Sequence, residues 1–173
     1  MKQQEPGRPM EKTALCPGTY DPLTEGHKDV IIRCSKVFKR VVVAISKNTR
    51  KKPLYSIEKR MDFAGRVFGD IENIEIVSFE GLLIDMAETS DAQVIVKGLR
   101  AISDFEYEFQ MAQINKKLKP DVETMFLMTN PKYAYLSSSA VKEVARYGGC
   151  ITGLVPKVIE QDIIESFKSG VFD

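Results

Sequence analysis

The chain has 173 residues, 43% hydrophobic and 28% charged, with 25 Lys and Arg against 24 Asp and Glu for a net charge of +1. That length suits one domain with a real core, and the balanced charge argues against a nucleic-acid module or a membrane-surface binder, since both carry a basic excess. Three cysteines outside any CxxC pair argue against a disulfide framework and a zinc site, no apolar run approaches the ~20 residues of a membrane span, and the expected setting is the reducing cytoplasm.

Residues 1–10 (MKQQEPGRPM) are polar, broken by Pro and Gly, and read as a flexible tail before a single domain over 11–173. KTALCP (12–17) is the first candidate strand. From 24 to 38 the apolar residues Val30, Ile31, Cys34, Val37 and Phe38 recur at three- and four-residue steps, which predicts an amphipathic helix. RVVVAIS (40–46) is a continuous β-branched run, as in a parallel strand covered on both faces. The basic loop KNTRKKP (47–53) leads to a helix over 56–68 with Ser56 as its N-cap. The alternation continues with a strand over 73–79, a helix over 82–88, a strand over 93–98, a helix over 104–118 and a strand over 123–128. A helix over 138–147 is closed by Gly148 and Gly149, and a last helix over 156–168 opens on Pro156. Five strands separated by helices imply an α/β fold: a Rossmann-like, doubly wound, five-stranded parallel sheet with helices on both faces. Ligands of such sheets bind beyond the carboxyl ends of the strands, where the unusual residues of this chain fall.

The loop after the first strand, PGTYDPLTEGH (17–27), combines glycines, which let a backbone approach an anion, with a helix N-terminus whose N–H groups attract one. His27, the only histidine, sits in the first turn of that helix. It is either an ordinary polar residue beside a Thr24 cap or a donor to a bound anion. Gly18, Thr19, Asp21 and Gly26 shape the same turn and favour the second reading. KNTRKKP brings Lys47, Arg50, Lys51 and Lys52 to the same sheet edge, either as a solvated loop or with one lysine neutralising an acceptor phosphate. KGLR (97–100) presents a flexible point charge, Lys97, and a planar fork, Arg100, with the carboxylate Glu108 farther on. Ser137, Ser138 and Ser139 open the helix over 138–147. One serine suffices as a cap, and the run with its N–H groups can wrap a di- or triphosphate.

In order and spacing, PGTYDPLTEGH, KKP, KGLRAISDFEYE and SSSAVKEVARYGG resemble the phosphopantetheine adenylyltransferase family of the nucleotidyltransferase superfamily, over about residues 12–168. TEGH and the serine run mark the superfamily, and GLRAISDFEYE is the more specific piece. The resemblance implies the reaction ATP + 4′-phosphopantetheine → 3′-dephospho-coenzyme A + pyrophosphate, with Mg²⁺, in coenzyme A biosynthesis. It implies a catalytic set of His27, Lys51 and Arg100, with His27 at the α-phosphate, and it assigns no metal ligand. The acceptor site it implies comprises Thr19, Lys51, Leu83 and Lys97. The ATP contacts it implies are Thr19, Tyr20, His27, Gly98, Leu99, Arg100 and Glu108, then Tyr133, Ala134, Tyr135, Leu136, Ser137, Ser138 and Ser139. A homohexamer inhibited by coenzyme A is part of the same expectation. Lys97 departs from the family, where arginine is usual; lysine keeps the charge and loses the two-pronged geometry. Two further readings keep the fold: another acceptor (nicotinamide mononucleotide, glycerol phosphate or a flavin), or a nucleotide sensor without turnover, which His27 and Arg100 speak against.

Overall fold

The computed structural model describes residues 10–47, 52–100 and 102–172, and of 102–104 the backbone alone. Lys51 and, save Met10, the expected tail lie outside these residues. Five strands form one parallel sheet in the order β3-β2-β1-β4-β5: β1 (Met10–Gly18), β2 (Phe38–Ser46), β3 (Ile74–Phe79), β4 (Val94–Leu99) and β5 (Glu123–Met128). Ala14, Cys16, Val41, Val43, Ile45, Val94 and Val96 face one side, against α1 (Glu25–Val37), α2 (Ile57–Phe68), α5 (Ser138–Arg146) and α6 (Lys157–Ser169). Leu15, Val42, Ala44 and Ile95 face the other and pack on α3 (Leu83–Thr89). The longest helix, α4 (Ile102–Leu118), adjoins α3, β4 and β5. Successive strand residues alternate between two buried faces, so the centres of β1 (ALC), β2 (VVVAI) and β4 (VIV) read as unbroken apolar runs. Phe63, Phe68, Ile159 and Ile163 are wholly buried between the helices and the sheet, each contributing about 1.5–3 kcal/mol to folding.

The doubly wound parallel sheet expected from the sequence is the one observed, with small shifts at element ends. The helix expected over 24–38 stops at Val37, and Phe38 opens β2 with no intervening loop. Phe38 is extended (φ −104°, ψ 147°), pairs with Met10 and is buried, so its side chain fits the helical spacing yet belongs to the sheet. After β5, Pro131–Tyr133 forms a 3-10 turn that the apolar pattern does not signal; the Asn130 side chain caps it by accepting from the Lys132 N–H.

From β1 the chain winds outward to β3, then crosses back to β4 on the other side of β1. The ladder is short at this reversal. β1 and β4 pair at Ala14–Val94 and Leu15–Ile95 alone, whereas β1 and β2 stay in register as far as Gly18–Ile45. Beyond Leu15 and Ile95 the two strands part, and a cleft of about 730 Å³ opens at their carboxyl ends. Cys16, Pro17 and Gly18 line one flank, and Val96, Lys97 and Gly98 the other. This is the topological switch point of a doubly wound sheet, the usual place for a ligand.

Candidate active site

Thr24 ends the loop after β1 in extended conformation and caps α1. Its Oγ1 accepts from the His27 N–H at 3.3 Å, and its own N–H donates to His27 Nδ1 at 3.1 Å. This is a reciprocal capping box with an imidazole in place of the usual carboxylate or amide. A nitrogen whose lone pair accepts an N–H carries no proton, so the ring hydrogen sits on Nε2. Burial, and after it the Arg100 guanidinium, lowers the pKa of His27 from 6.5 to about 4. At neutral pH the ring is therefore uncharged and bears an Nε2–H. Helix cap and cleft residue are not rival readings here: the box uses Nδ1, and the ring also lines the cleft.

Buried opposite charges brace the loop that carries this cap. Arg60, on α2, is 2% exposed; its Nη1 donates to the Thr19 carbonyl at 2.9 Å and to the Ser46 carbonyl at 2.8 Å. Its Nε donates to the Tyr55 carbonyl at 3.1 Å. Asp21, 4% exposed, accepts from the Leu54 and Tyr55 N–H groups at 2.9 Å each and from Lys142 Nζ at 2.7 Å. The segment that returns from the basic loop is thus held to the first loop through both its N–H groups and a carbonyl. Removing either charge would strand buried polar groups, the costly way to break such a network.

The loop after β4 forms the facing wall. Lys97 Nζ lies 3.2 Å from Glu108 Oε2, both about a quarter exposed, so an ion pair joins β4 to α4. Arg100 donates from Nη1 to the Leu136 carbonyl at 2.9 Å, tying this wall to the segment before α5. Gly98 is closely approached by α1: a Cβ there would sit 3.1 Å from Val30 Cγ2, a tight contact that the glycine avoids. In the serine run, Ser137 caps α5 by accepting from the Ala140 N–H at 3.0 Å, and the Ser138 hydroxyl donates to the Pro22 carbonyl at 2.8 Å. Two of the three hydroxyls therefore have structural partners, which leaves anion binding more to the first-turn N–H groups of Ser138 and Ser139.

Thr19, Tyr20, His27, Lys97, Gly98, Arg100, Glu108, Leu136, Ser137, Ser138 and Ser139 all line the one cleft. Leu99 does not; it is 5% exposed and packed away from the opening. Leu83 begins α3 and packs against the second core cluster. Tyr133, Ala134 and Tyr135 lie on the 3-10 turn and its exit, outside the cleft lining, with Tyr135 exposed. Lys51 is outside the described residues. Sequence reasoning missed Lys142, Asp21 as an anchor, and Arg60. Lys142 follows Ser138 and Ser139 by four and three residues, so the helical period places all three on one face, a signal read there only for apolar positions. Among the lining residues, the cations Lys97, Arg100 and Lys142 outnumber the carboxylates Asp21 and Glu108. Cys16 is the lining thiol; its hydrogen bond with Cys34 and its burial push its pKa up, so it stays protonated and is no nucleophile. The cleft is built to take a polyanion and to donate hydrogen bonds to it.

The sequence profile of the cytidylyltransferase-like family matches residues 15–144. A protein named phosphopantetheine adenylyltransferase from Clostridium botulinum (strain Eklund 17B / Type B) is 54% identical over 157 residues, 91% of this chain and 99% of that protein. One of the same name from Clostridium novyi (strain NT) is 56% identical over 153 residues, 88% of this chain and 95% of its own. Among solved structures, a putative nicotinate-nucleotide adenylyltransferase from Vibrio parahaemolyticus superposes with a TM-score of 0.67 at 19% identity, over 94% of this chain and 96% of that one. Nicotinic acid mononucleotide adenylyltransferase from Plasmodium falciparum, complexed with NaAD, also gives 0.67, at 15% identity over 94% and 98% of the two chains. These two likenesses concern the fold alone.

Proposed function

The chain belongs to the cytidylyltransferase-like family and, within it, to the phosphopantetheine adenylyltransferases, and from that premise we propose how its cleft works. It is a nucleotidyltransferase that passes the adenylyl group of ATP to 4′-phosphopantetheine, giving 3′-dephospho-coenzyme A and pyrophosphate in coenzyme A biosynthesis. Relatives more than half identical over nine-tenths of the chain carry that conclusion.

The acceptor is a phosphate monoester already ionised at neutral pH, so it needs no general base. Its oxygen attacks the α-phosphorus in line, the bond to the bridging oxygen breaks, and pyrophosphate leaves with the electron pair. Catalysis is then positioning plus neutralisation of charge spread over the phosphoryl oxygens. In this reading His27 donates its Nε2–H to an α-phosphate oxygen, and the capping box that fixes the tautomer is what supports the assignment. Arg100, Lys142 and the N–H groups of Ser138 and Ser139 receive the β- and γ-phosphates, and Thr19 stands between the two substrates. Glu108 and the 133–136 segment contact the nucleoside, with Gly98 and Leu99 supplying backbone. Lys97 and Lys51 meet the acceptor phosphate, and Leu83 its pantetheine arm. The donor set fits a Mg²⁺ held by phosphate and water: Asp21 and Glu108 are engaged, and among the described residues no group of three His, Cys, Asp or Glu could hold an ion. When bound, the ion offsets phosphate charge.

The reading extends to a cytoplasmic homohexamer inhibited by coenzyme A, with no nucleic-acid partner. Exposed Phe105, Phe109, Ile114 and Leu118 on α4, and Met125 and Met128 on edge strand β5, support assembly. Three free thiols suit the cytoplasm. Among the described residues no helix is long and apolar enough to cross a membrane. Pyrophosphate release with ATP and Mg²⁺ tests the reading: it should appear with 4′-phosphopantetheine and not with nicotinamide mononucleotide, glycerol phosphate or flavin mononucleotide. Release with one of those instead would overturn the acceptor assignment, and nucleotide binding without release would favour the sensor.

A further inference from the structure

We propose that Tyr20 is the positioning residue of His27, acting through the imidazole rather than by holding ATP with its own side chain. The capping box grips the ring at Nδ1 alone, where the Thr24 N–H and Oγ1 each lie 3.1 Å away, and a ring held at a single atom can still swing about it. Tyr20 closes that freedom from the side: the two rings meet edge to face, centroids 5.1 Å apart and planes at 81°. Such a contact points ring hydrogens at a π-face and so has a preferred angle, unlike a generic apolar contact. Tyr20 is itself fixed. Its hydroxyl donates to the Cys16 carbonyl at 2.9 Å, and the residue is 5% exposed. Gly18 lies under the ring so closely that a Cβ there would sit 2.7 Å from Tyr20 Cζ. The phenol hydroxyl is thereby committed to the end of β1, just where β1 leaves β4 and the cleft begins.

The backbone makes the same point independently. Tyr20 has φ +49°, a left-handed conformation that a bulky residue rarely adopts. Such strain persists where the surroundings over-determine it, and it gathers at functional sites. Here it aims the ring inward between Gly18 and His27.

This inference rests on His27 being the donor to the α-phosphate, and the single histidine gives a test in two independent parts. Turnover is measured for Tyr20→Leu and Tyr20→Phe, each alone and with His27→Ala, and the one imidazole signal is followed by NMR in the variants that keep it. Tyr20→Leu should lower kcat by ~10-fold or more with KM for ATP within about twofold, since a misplaced donor costs turnover rather than binding. With His27→Ala already present, the same change should cost less than about twofold, the non-additivity of residues acting as one unit. The imidazole signal should shift or broaden in Tyr20→Leu while the backbone amide spectrum stays folded. Should that variant not fold, Tyr20→Phe carries the test with a smaller loss, about twofold to fivefold. An undiminished loss in the His27→Ala background, a raised KM with unchanged kcat, or an unmoved imidazole signal would each overturn the proposal. Full turnover by His27→Ala alone would strike the role given to the histidine, and the imidazole spectrum would still decide whether Tyr20 places the ring.

Discussion

The two walls of the cleft are made differently. The wall after β1 is set by buried and part-buried bonds: Thr24 and His27 reciprocally, Asp21 with two N–H groups and Lys142, Arg60 with four carbonyls. The wall after β4 stands on a partly exposed ion pair, Lys97 with Glu108, on one part-buried bond from Arg100 to the Leu136 carbonyl, and on a helix that presents Phe105, Tyr107 and Phe109 to solvent. Buried, satisfied networks hold one geometry, whereas exposed pairs exchange partners at little cost. The difference divides the labour: the first wall is preorganised for the phosphoryl chemistry, and the second is free to re-pair as substrates arrive. Changes in the first should therefore act on kcat and stability, and changes in the second on KM.

The largest effect that would break this comparison is expected at His27. His27→Ala should lower kcat by ~10²–10³ with little change in KM for ATP, the loss of one transition-state donor; steady-state kinetics that show KM rising in step with kcat falling would contradict it. Arg60→Met should destabilise the fold by about 3 kcal/mol, because carbonyls of Thr19, Ser46 and Tyr55 lose a buried donor; urea titration measures it, and a loss under 1 kcal/mol would show the brace to be dispensable.

A smaller effect follows from His27 itself. Its pKa is 6.5 unfolded and about 4 folded, so between those values the unfolded chain binds the proton and the native state does not. The stabilisation is complete above pH 6.5 and is lost as pH falls towards about 4. From pH 6.5 to 5 this amounts to about 1.5 kcal/mol. Denaturation curves at the two pH values should show that much more loss in the parent than in His27→Gln; equal slopes would place the imidazole in water. The smallest effect is on the second wall. Lys97→Arg should lower KM for 4′-phosphopantetheine by about threefold to tenfold with kcat nearly unchanged, since the guanidinium presents two parallel donors to a phosphate; a fall in kcat instead would mean that this wall is as rigid as the first.

Much of this was legible in the sequence, and the particular failures share a cause. RVVVAIS and the spacing of Val30, Ile31 and Cys34 report local burial, which sequence periodicity carries directly. Thr24 and Ser56 were readable as caps because a cap bonds within three residues. Phe38 misled because an apolar residue at a helix end fits either element, and pairing with Met10 decided it. The Asp21–Lys142 pair and the Arg60–Thr19 bond join residues 121 and 41 positions apart, and no local pattern encodes such a meeting. Leu99 entered the expected site through the resemblance, and strand alternation turns its side chain inward, away from the cleft lining.

Because the chain has one histidine, a single experiment reaches the centre of the account: ¹⁵N NMR of the imidazole through a pH titration of the ligand-free protein. The expected result is the Nε2–H tautomer, uncharged at neutral pH and titrating near 4. A proton on Nδ1, or titration near the ordinary 6.5 of histidine, would mean that the cap does not hold the ring, and the donor assigned to the α-phosphate would fall with it.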